Sequence, residues 1–214
     1  ENGDPTTIPD YMPAENLTIT ATWNVRSFPV RYTVDGETYY GPTVTAYGST
    51  IVEPDVPTKP GYAFAGWLDA DGKKPSDYGT MPAKALEFIA QWAPNANVGY
   101  IIEVYEMGTD GTYPSTPTIT YTMKDGVVGD TREFEASVPA GFVLDTTNSV
   151  LSGTIPATGT LVLKAYYERN SHTLKTVVDG VETDTTVYYG AVIPAQAAPV
   201  KEGDAFAGWV EVNG

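Results

Sequence analysis

The side chains that could perform chemistry are few, and His172 comes first because it is the only histidine in the chain. It follows Ser171, and a serine near a histidine is the starting point of a hydrolase triad. A triad also needs an oriented acid and a sharp G-x-S-x-G turn, which no serine of this chain has. We expect His172 to lie exposed in a linker just before a strand. The sequence therefore predicts no catalytic residue and no enzyme activity.

A second candidate is the stretch Asp69-Ala70-Asp71-Gly72, which resembles the start of a calcium loop. An EF-hand loop counted from Asp69 needs glycine and glutamate where this chain has Lys74 and Thr80. Asp-Gly strongly favours a turn, so we interpret this pair, and those at 35, 110, 125 and 179, as turns. Cysteine is absent, which excludes thiolate ligands and disulfides. We predict no metal site and no cofactor.

Paired tyrosines could stack on sugar rings and form a glycan-binding surface. The pairs are Tyr39-Tyr40, Tyr166-Tyr167 and Tyr188-Tyr189. Alternation along a strand turns one member of each pair inward, so we favour core packing with the neighbour covering the sheet. The tryptophans at 23, 67, 92 and 209 occupy matching repeat positions and are interpreted as core or inter-repeat packing. The ligand-binding residues remain unknown.

One covalent hypothesis concerns Lys164, which lies in a predicted strand near Glu168 and Asn170. Surface proteins form internal isopeptide bonds from a lysine and an asparagine when a buried acid assists. Such a bond would release ammonia, which intact-mass spectrometry would detect.

The elements that carry these residues are predicted from composition and charge. Acidic residues number 27 and basic residues 12, giving a net charge of −15 that repels phosphate backbones and anionic lipids. We therefore expect no nucleic acid partner and no membrane insertion within this segment. Thr, Val, Tyr, Gly and Pro are abundant, which favours short strands joined by tight turns.

Two segments of the chain repeat one pattern. Residues 30–92 open with VRYTVDG, continue through PTKPGYAFAGW and close with ALEFIAQW. The segment from Leu174 onward matches it, because Gly190 lies 19 residues before Trp209 as Gly48 lies 19 before Trp67. Period two places one set of closing-strand residues on a common face, which we predict is buried. That set is Leu86, Phe88, Ala90 and Trp92.

Residues 1–23 copy the end of the same pattern. Met12-Pro13-Ala14 stands 11 residues before Trp23, as Met81-Pro82-Ala83 stands 11 before Trp92. The residues matching the closing-strand face are Leu17, Ile19, Ala21 and Trp23. We expect residues 171–214 to be the front two-thirds of a repeat and residues 1–23 to be its back third.

These motifs resemble known families. Residues 30–92 and both partial segments resemble the Listeria–Bacteroides repeat (internalin B-repeat-like). Residues 99–170, with DGTY, AGF, LSGTI and LVLKAYYERN, resemble mucin-binding-protein-like (MucBP-like) repeats of Gram-positive surface proteins. The predicted domains are 1–23, the C-terminal part of a Listeria–Bacteroides-type repeat; 24–93, a complete one; 94–170, the MucBP-like repeat; and 171–214, an N-terminal part.

The resemblance implies a mostly β fold, with small β-grasp-like repeats in a tandem array of antiparallel and mixed sheets. It implies an extracellular protein, cell-wall-anchored or secreted, whose repeats serve as non-catalytic stalk and adhesin. The implied partners are neighbouring repeats or copies of this chain, and host glycan or protein. Two alternatives stay open: a dedicated glycan- or host-protein-binding module, and an appendage of a secreted enzyme.

The split repeat suggests how the chain assembles. Without a closing strand, residues 171–214 would expose an apolar face and an open sheet edge, which invites strand addition. We hypothesise that residues 1–23 of another molecule supply that strand, or that the next tandem unit does. The short linkers favour a semi-rigid array that bends most around residues 93–97.

Overall fold

The computed structural model of the chain describes residues 8–212. The regular secondary structure of the described residues is nearly all strand, as predicted, and these residues divide into two compact units. Among the described residues, the first unit comprises residues 8–58 and Phe64–Trp92, and the second comprises Lys59–Ala63 and residues 93–212.

The first repeat folds as a four-stranded sheet with the order β2-β1-β4-β3. Its elements are β1 (Ser27–Val34), β2 (Glu37–Ala46), β3 (Tyr62–Leu68), a 3₁₀ helix (Pro75–Tyr78) and β4 (Leu86–Pro94). β1 and β2 form an antiparallel hairpin whose turn, Asp35-Gly36, has φ values of 49° and 88°. Aspartate and glycine tolerate this left-handed backbone, which a two-residue hairpin turn requires. β1 also pairs in parallel with β4, with Val30 opposite Leu86 and Tyr32 opposite Phe88.

The core of the first unit lies on the face predicted from the closing strand. Phe88 is fully buried, Leu86 and Ala90 are buried, and Trp92 packs half-buried against them. The Tyr32 ring stacks 5.2 Å from Phe88 and meets Trp67 edge-on at 5.0 Å. Each buried aromatic side chain of this kind stabilises the fold by about 1.5–3 kcal/mol through lost water contact. The alternation prediction for β4 is confirmed.

The second unit is built around another four-stranded sheet with the order β6-β5-β10-β8, beside a small β7–β9 pair. These strands are β5 (Ala96–Glu106), β6 (Ile119–Val127), β7 (Thr131–Glu133), β8 (Phe142–Leu144), β9 (Ser152–Thr154) and β10 (Val162–Arg169). β5 and β10 pair in parallel at its centre. Leu163, Ala165 and Tyr167 of β10 are buried on one face, as their alternation predicts.

One predicted turn of this region and one predicted linker lie in strands instead. Asp125-Gly126 lies inside β6, where Gly126 faces Val98 at an irregularity of the ladder. A Cβ at Gly126 would lie 2.5 Å from the Val98 carbonyl oxygen, so glycine is needed for close approach rather than for turning. The linker predicted at residues 93–97 is also wrong, because β4 ends at Pro94 and β5 begins at Ala96.

The last strands form a two-stranded hairpin, β11 (Ser171–Val178) and β12 (Val181–Tyr188). Its Asp179-Gly180 turn has φ values of 49° and 81°, which repeat those of the first hairpin. From 189 to 212 the described residues contain no further strand, and residues 8–26 contain none either. The segment predicted as a closing strand, residues 17–23, is exposed along its length.

Candidate functional site

The candidate site is the open edge of β11, which we define as the side of β11 facing away from β12. Three backbone hydrogen bonds at the turns that follow the hairpin recur at equivalent positions in the first repeat, which shows that these turns adopt the same local structure. In the first repeat the backbone N–H groups of Tyr47, Ser49 and Tyr62 donate to the carbonyl oxygens of Arg26 (2.9 Å), Ala46 (3.0 Å) and Lys59 (3.1 Å). At the equivalent positions of the second, those of Tyr189, Ala191 and Asp204 donate to Asn170 (2.8 Å), Tyr188 (2.9 Å) and Lys201 (3.2 Å).

What differs is the strand between the hairpin and the Gly-Trp segment. In the first repeat β4 fills that position, and Met81 exchanges backbone bonds of 2.9 and 2.8 Å with the Gly48-Ser49 turn. In the second, β11 pairs only with β12 within residues 8–212, and no equivalent bond joins the Gly190-Ala191 turn to a described residue. The open edge of β11 therefore presents unpaired strand backbone, which readily accepts another strand.

Equivalent tryptophans of the two repeats differ in exposure. Trp67 is only 3% exposed in the first repeat, whereas the equivalent Trp209 is 41% exposed. Trp209 still packs edge-on against Phe206, with 5.6 Å between ring centroids, as Trp67 packs on Phe64 at 5.2 Å. A cleft of about 310 Å³ lies between the end of β11 and Phe206. Core or inter-repeat packing was predicted for the four tryptophans, and Trp67 and Trp92 belong to the core of the first unit. Trp209 and Trp23, which are 41% and 89% exposed, are not core residues among the described residues, and their inter-repeat packing stays a prediction.

Sequence reasoning missed the contacts that fix the hairpin within the second unit. The Tyr188 ring lies against Gly111, and the Tyr189 ring lies against Gly141. A Cβ atom added at Gly111 would lie 2.4 Å from Tyr188 Oη, and one added at Gly141 would lie 2.0 Å from Tyr189 Cδ1. Arg169 donates to the carbonyl oxygens of Met107 and Tyr189, both at 2.9 Å. The motif AGF, which contains Gly141, was the available signal.

Tyr39 and Tyr40 depart from the predicted alternation, because both are about two-fifths exposed. They lie on edge strand β2, and the β1–β2 ladder is irregular on both sides of Tyr32. A bulge of this kind re-aims side chains and breaks period two. The pair Tyr166-Tyr167 does alternate: Tyr167 is buried, and Tyr166 stacks on Tyr105 at 4.5 Å on the opposite face.

The His172 side chain is exposed, as predicted, but it lies within β11 opposite Val187 rather than in a linker before a strand. Within the described residues, no hydrogen bond or ion pair joins Ser171 or His172 to an acidic side chain. A triad depends on such a bond to orient its imidazole, so these residues are not brought together as one.

Lys164 is paired with an acid that the sequence did not indicate. Its Nζ lies 3.2 Å from Glu103 Oε2, which also accepts a 2.8 Å bond from the Tyr105 hydroxyl. The Tyr105 bond, followed by the Lys164 bond, lowers the pKa of Glu103, and the Glu103 bond raises the pKa of Lys164. A charged, half-exposed ammonium held by a surface carboxylate is a poor amide-forming nucleophile, which counts against the isopeptide hypothesis.

Asp69 organises a turn. Its Oδ1 accepts backbone bonds from Asp71 (2.9 Å) and Lys73 (2.8 Å), and its Oδ2 accepts a bond from the Tyr78 hydroxyl. These donors, led by Tyr78, lower the pKa of Asp69. In the part of the chain that the structure describes, no three acidic or histidine side chains converge on a metal position.

Sequence comparison identifies the repeats. Residues 28–91 and 166–213 match Flg_new, the Listeria-Bacteroides repeat domain (List_Bact_rpt). These stretches make up more than half of the chain, so the chain belongs to the Listeria–Bacteroides repeat family. The predicted resemblance is confirmed for these repeats, while the MucBP-like assignment of the segment between them stays a prediction.

Similar proteins include an internalin and two proteins named as putative membrane proteins. Internalin H of Listeria monocytogenes is 37% identical over 91 residues, which are 41% of this chain and 16% of internalin H. A putative membrane protein of Evansella cellulosilytica is 28% identical over 121 residues, 54% of this chain and 18% of that protein. A putative Gly-rich membrane protein of the same organism is 23% identical over 206 residues, 92% of this chain and 23% of that protein. The chain spans less than a quarter of each relative.

The described residues contain no helix long and apolar enough to cross a membrane.

Proposed function

We propose that this chain is a non-catalytic extracellular repeat region of a bacterial cell-surface protein, cell-wall-anchored or secreted, in which it serves as stalk and adhesin. The observation that carries the proposal is membership of the Listeria–Bacteroides repeat family, together with similarity to internalin H and to two proteins named as membrane proteins. Segments of the second unit follow one another almost without spacers, since only Asn170 separates β10 from β11. This favours a load-bearing stalk over a flexible tether.

The proposal includes the organisation predicted from the sequence. In it, residues 24–93 form one complete repeat, residues 94–170 a MucBP-like repeat, and residues 171–214 and 1–23 complementary parts of another. The open edge of β11 accepts a strand, so such chains assemble head to tail. Neighbouring repeats or copies of the chain are its partners.

Surface display tests the stalk function. Cells would present an epitope tag at the outer end of this chain, and control cells would present it on a Gly/Ser linker of equal residue number. We expect stronger antibody binding above the folded chain, because a flexible linker of that length collapses toward the wall. Equal binding on both cell types would refute the stalk function.

Glycan binding is the second candidate, and the exposure of both Tyr39 and Tyr40 favours it. Adjacent exposed rings offer apolar faces to a sugar. A glycan array with the whole chain tests it: binding that Tyr39→Ala abolishes and Tyr121→Ala leaves intact would support this candidate. Tyr121 is a suitable control because it is equally exposed but lies on β6 of the second unit. Absence of signal on the array would refute glycan binding by this chain.

A further inference from the structure

We propose that the open edge of β11 is completed by residues 12–23 of a second copy of this chain, inserted in one defined register. This inference rests on the strand addition in the proposed function and specifies its partner. Both halves of the arrangement expose apolar side chains among the described residues: Trp209 is 41% exposed, while Ile19 and Trp23 are 64% and 89% exposed. Burying these apolar side chains together would remove them from water, which stabilises a complex by about 25 cal/mol per Å² of apolar surface buried.

The first repeat supplies the register. Parallel pairing of β1 with β4 places Val30, Arg31, Tyr32 and Thr33 opposite Leu86, Glu87, Phe88 and Ile89. Transferring these positions by the shared motifs pairs Leu174 with Leu17, Lys175 with Thr18, Thr176 with Ile19, and Val177 with Thr20. The side chain of Phe88 is fully buried and that of Ile89 is 44% exposed, so Ile19 would face inward and Thr20 outward.

The cleft beside Phe206 lies where the end of the inserted strand would come. Its lining includes Val178 at the end of β11 and Phe206. Continuing the parallel register places Ala21 opposite Val178 and brings Trp23 to Phe206. In the first repeat the matching rings, Phe64 and Trp92, meet edge-on at 5.7 Å.

The first repeat also predicts which backbone groups the start of residues 12–23 would bind. Met81 is buried and bonded on both sides to the Gly48-Ser49 turn. The equivalent Met12 is exposed, and the equivalent turn is Gly190-Ala191. A strand entering in the proposed register would bring Met12 to that turn and restore both bonds.

Engineered disulfides test the register and the partner together, since the chain contains no cysteine of its own. Copies carrying Thr18→Cys are mixed with differently tagged copies carrying Lys175→Cys under mild oxidation. Directly opposed residues on neighbouring strands lie about 5 Å apart at Cα, within disulfide reach. We expect covalent heterodimers, several-fold more abundant than with Val177→Cys, whose displacement by two residues places it about 8 Å away.

The double variant Thr18→Cys/Lys175→Cys separates two copies from one. A ladder of covalent multimers supports the proposal. A disulfide closed within single chains overturns the second-copy partner but keeps the strand addition. If no more disulfide forms than with the Val177→Cys control, both the second-copy partner and the strand addition are overturned. The stalk function is tested independently by surface display.

A pair of charge substitutions tests the buried face without oxidation. Ile19→Asp would place a carboxylate on the inward face, where an unpaired charge is costly, and should weaken association at least about tenfold by analytical ultracentrifugation. Thr20→Asp lies on the same strand facing outward and should change association much less. Equal effects of both, or an unassociated wild type, would contradict the proposed insertion.

Discussion

At the scale of single residues, glycine decides where the C-terminal hairpin can lie. The hairpin packs by placing tyrosine rings directly over Gly111 and Gly141, at distances that leave no room for a Cβ atom. Both glycines lie outside the strands, with φ values of 76° and 83°. Besides forming these turns, they leave the space that the tyrosine rings of the hairpin occupy.

Gly141→Ala should loosen this attachment. A Cβ would lie 2.0 Å from Tyr189, so the ring must move, at an overpacking cost of about 1–3 kcal/mol. Gly129→Ala is the matched control, because Gly129 has a similar positive φ (90° against 83°) but no atom within 4 Å of its would-be Cβ. Hydrogen exchange in residues 171–188 should accelerate only in the first variant. Equal acceleration in both would attribute the effect to backbone strain alone.

The turn at Asp69 should open in acid. The bonds to its carboxylate lower the pKa of Asp69, so their stabilisation is present above the unfolded pKa and is lost as pH falls through the folded value. Exchange of the Lys73 amide should therefore accelerate at a pH below the ordinary aspartate range. Because the Tyr78 hydroxyl is the largest cause, Tyr78→Phe should move this midpoint to higher pH. In Asp69→Asn the exchange rate should show no such midpoint, and a midpoint persisting there would refute the assignment.

At the scale of elements, the parallel strand pair organises each complete sheet, and its inward face determines stability. In the first unit that face carries Tyr32 from β1 and Phe88 from β4, stacked and buried. The strand beside it, β2, contributes mostly exposed residues. Removing an inward residue of β4 should therefore unfold the unit, whereas removing its outward neighbour should not.

Phe88→Ala should reduce the free energy of unfolding of the first unit by about 3–5 kcal/mol, because it leaves a cavity between the rings of Tyr32 and Tyr78. Ile89→Ala, at a position 44% exposed on the same strand, should cost less than about 1 kcal/mol. Urea denaturation followed by tryptophan fluorescence measures both. A similar cost for the two would mean that β4 does not hold the register described.

The strands were largely predictable from the sequence because period two is a local signal. Alternation in β4 and β10 identified the buried faces, and the Asp-Gly pairs of both hairpins identified their turns. The turn predicted at Asp125-Gly126 was wrong, because the glycine there allows β6 to approach β5 closely. That approach depends on Val98, which lies far away in sequence. Tyr39 and Tyr40 failed for a similar reason, since the bulge that re-aims them belongs to pairing with β1.

The candidate site was predicted only in outline. Repeat spacing indicated that residues 171–214 lack a strand and that residues 1–23 contain its sequence. The cleft beside Phe206 and the hydrogen bonds shared by the two repeats arise from three-dimensional packing. The anchoring of Tyr188 and Tyr189 on glycines of a different segment has no periodic signature at all.

At the scale of the whole molecule, charge opposes association between copies. Each chain carries a formal net charge of −15, so two copies approaching one another repel. The proposed strand insertion would be driven by apolar burial and backbone pairing, which salt does not weaken in this way. Screening should therefore favour assembly.

Raising NaCl from about 10 mM to about 150 mM, which shortens the screening length from about 30 to 8 Å, should strengthen self-association several-fold. Sedimentation equilibrium at neutral pH measures the change. Ile19→Asp provides the reference, since it should remain largely monomeric at both concentrations. Association that weakens with added salt would indicate that ion pairs, rather than the apolar strand, hold the copies together.

The parallel pairs also determine how the chain would bear a mechanical load. β1 opens the first repeat and β4 closes it, and in the second unit β5 and β10 are related in the same way. Tension along the polypeptide pulls the two strands of each pair past one another, so their hydrogen bonds are sheared together instead of unzipping singly. The β5–β10 pair has six opposed positions against four for β1–β4, so under flow the first repeat should yield before the second unit.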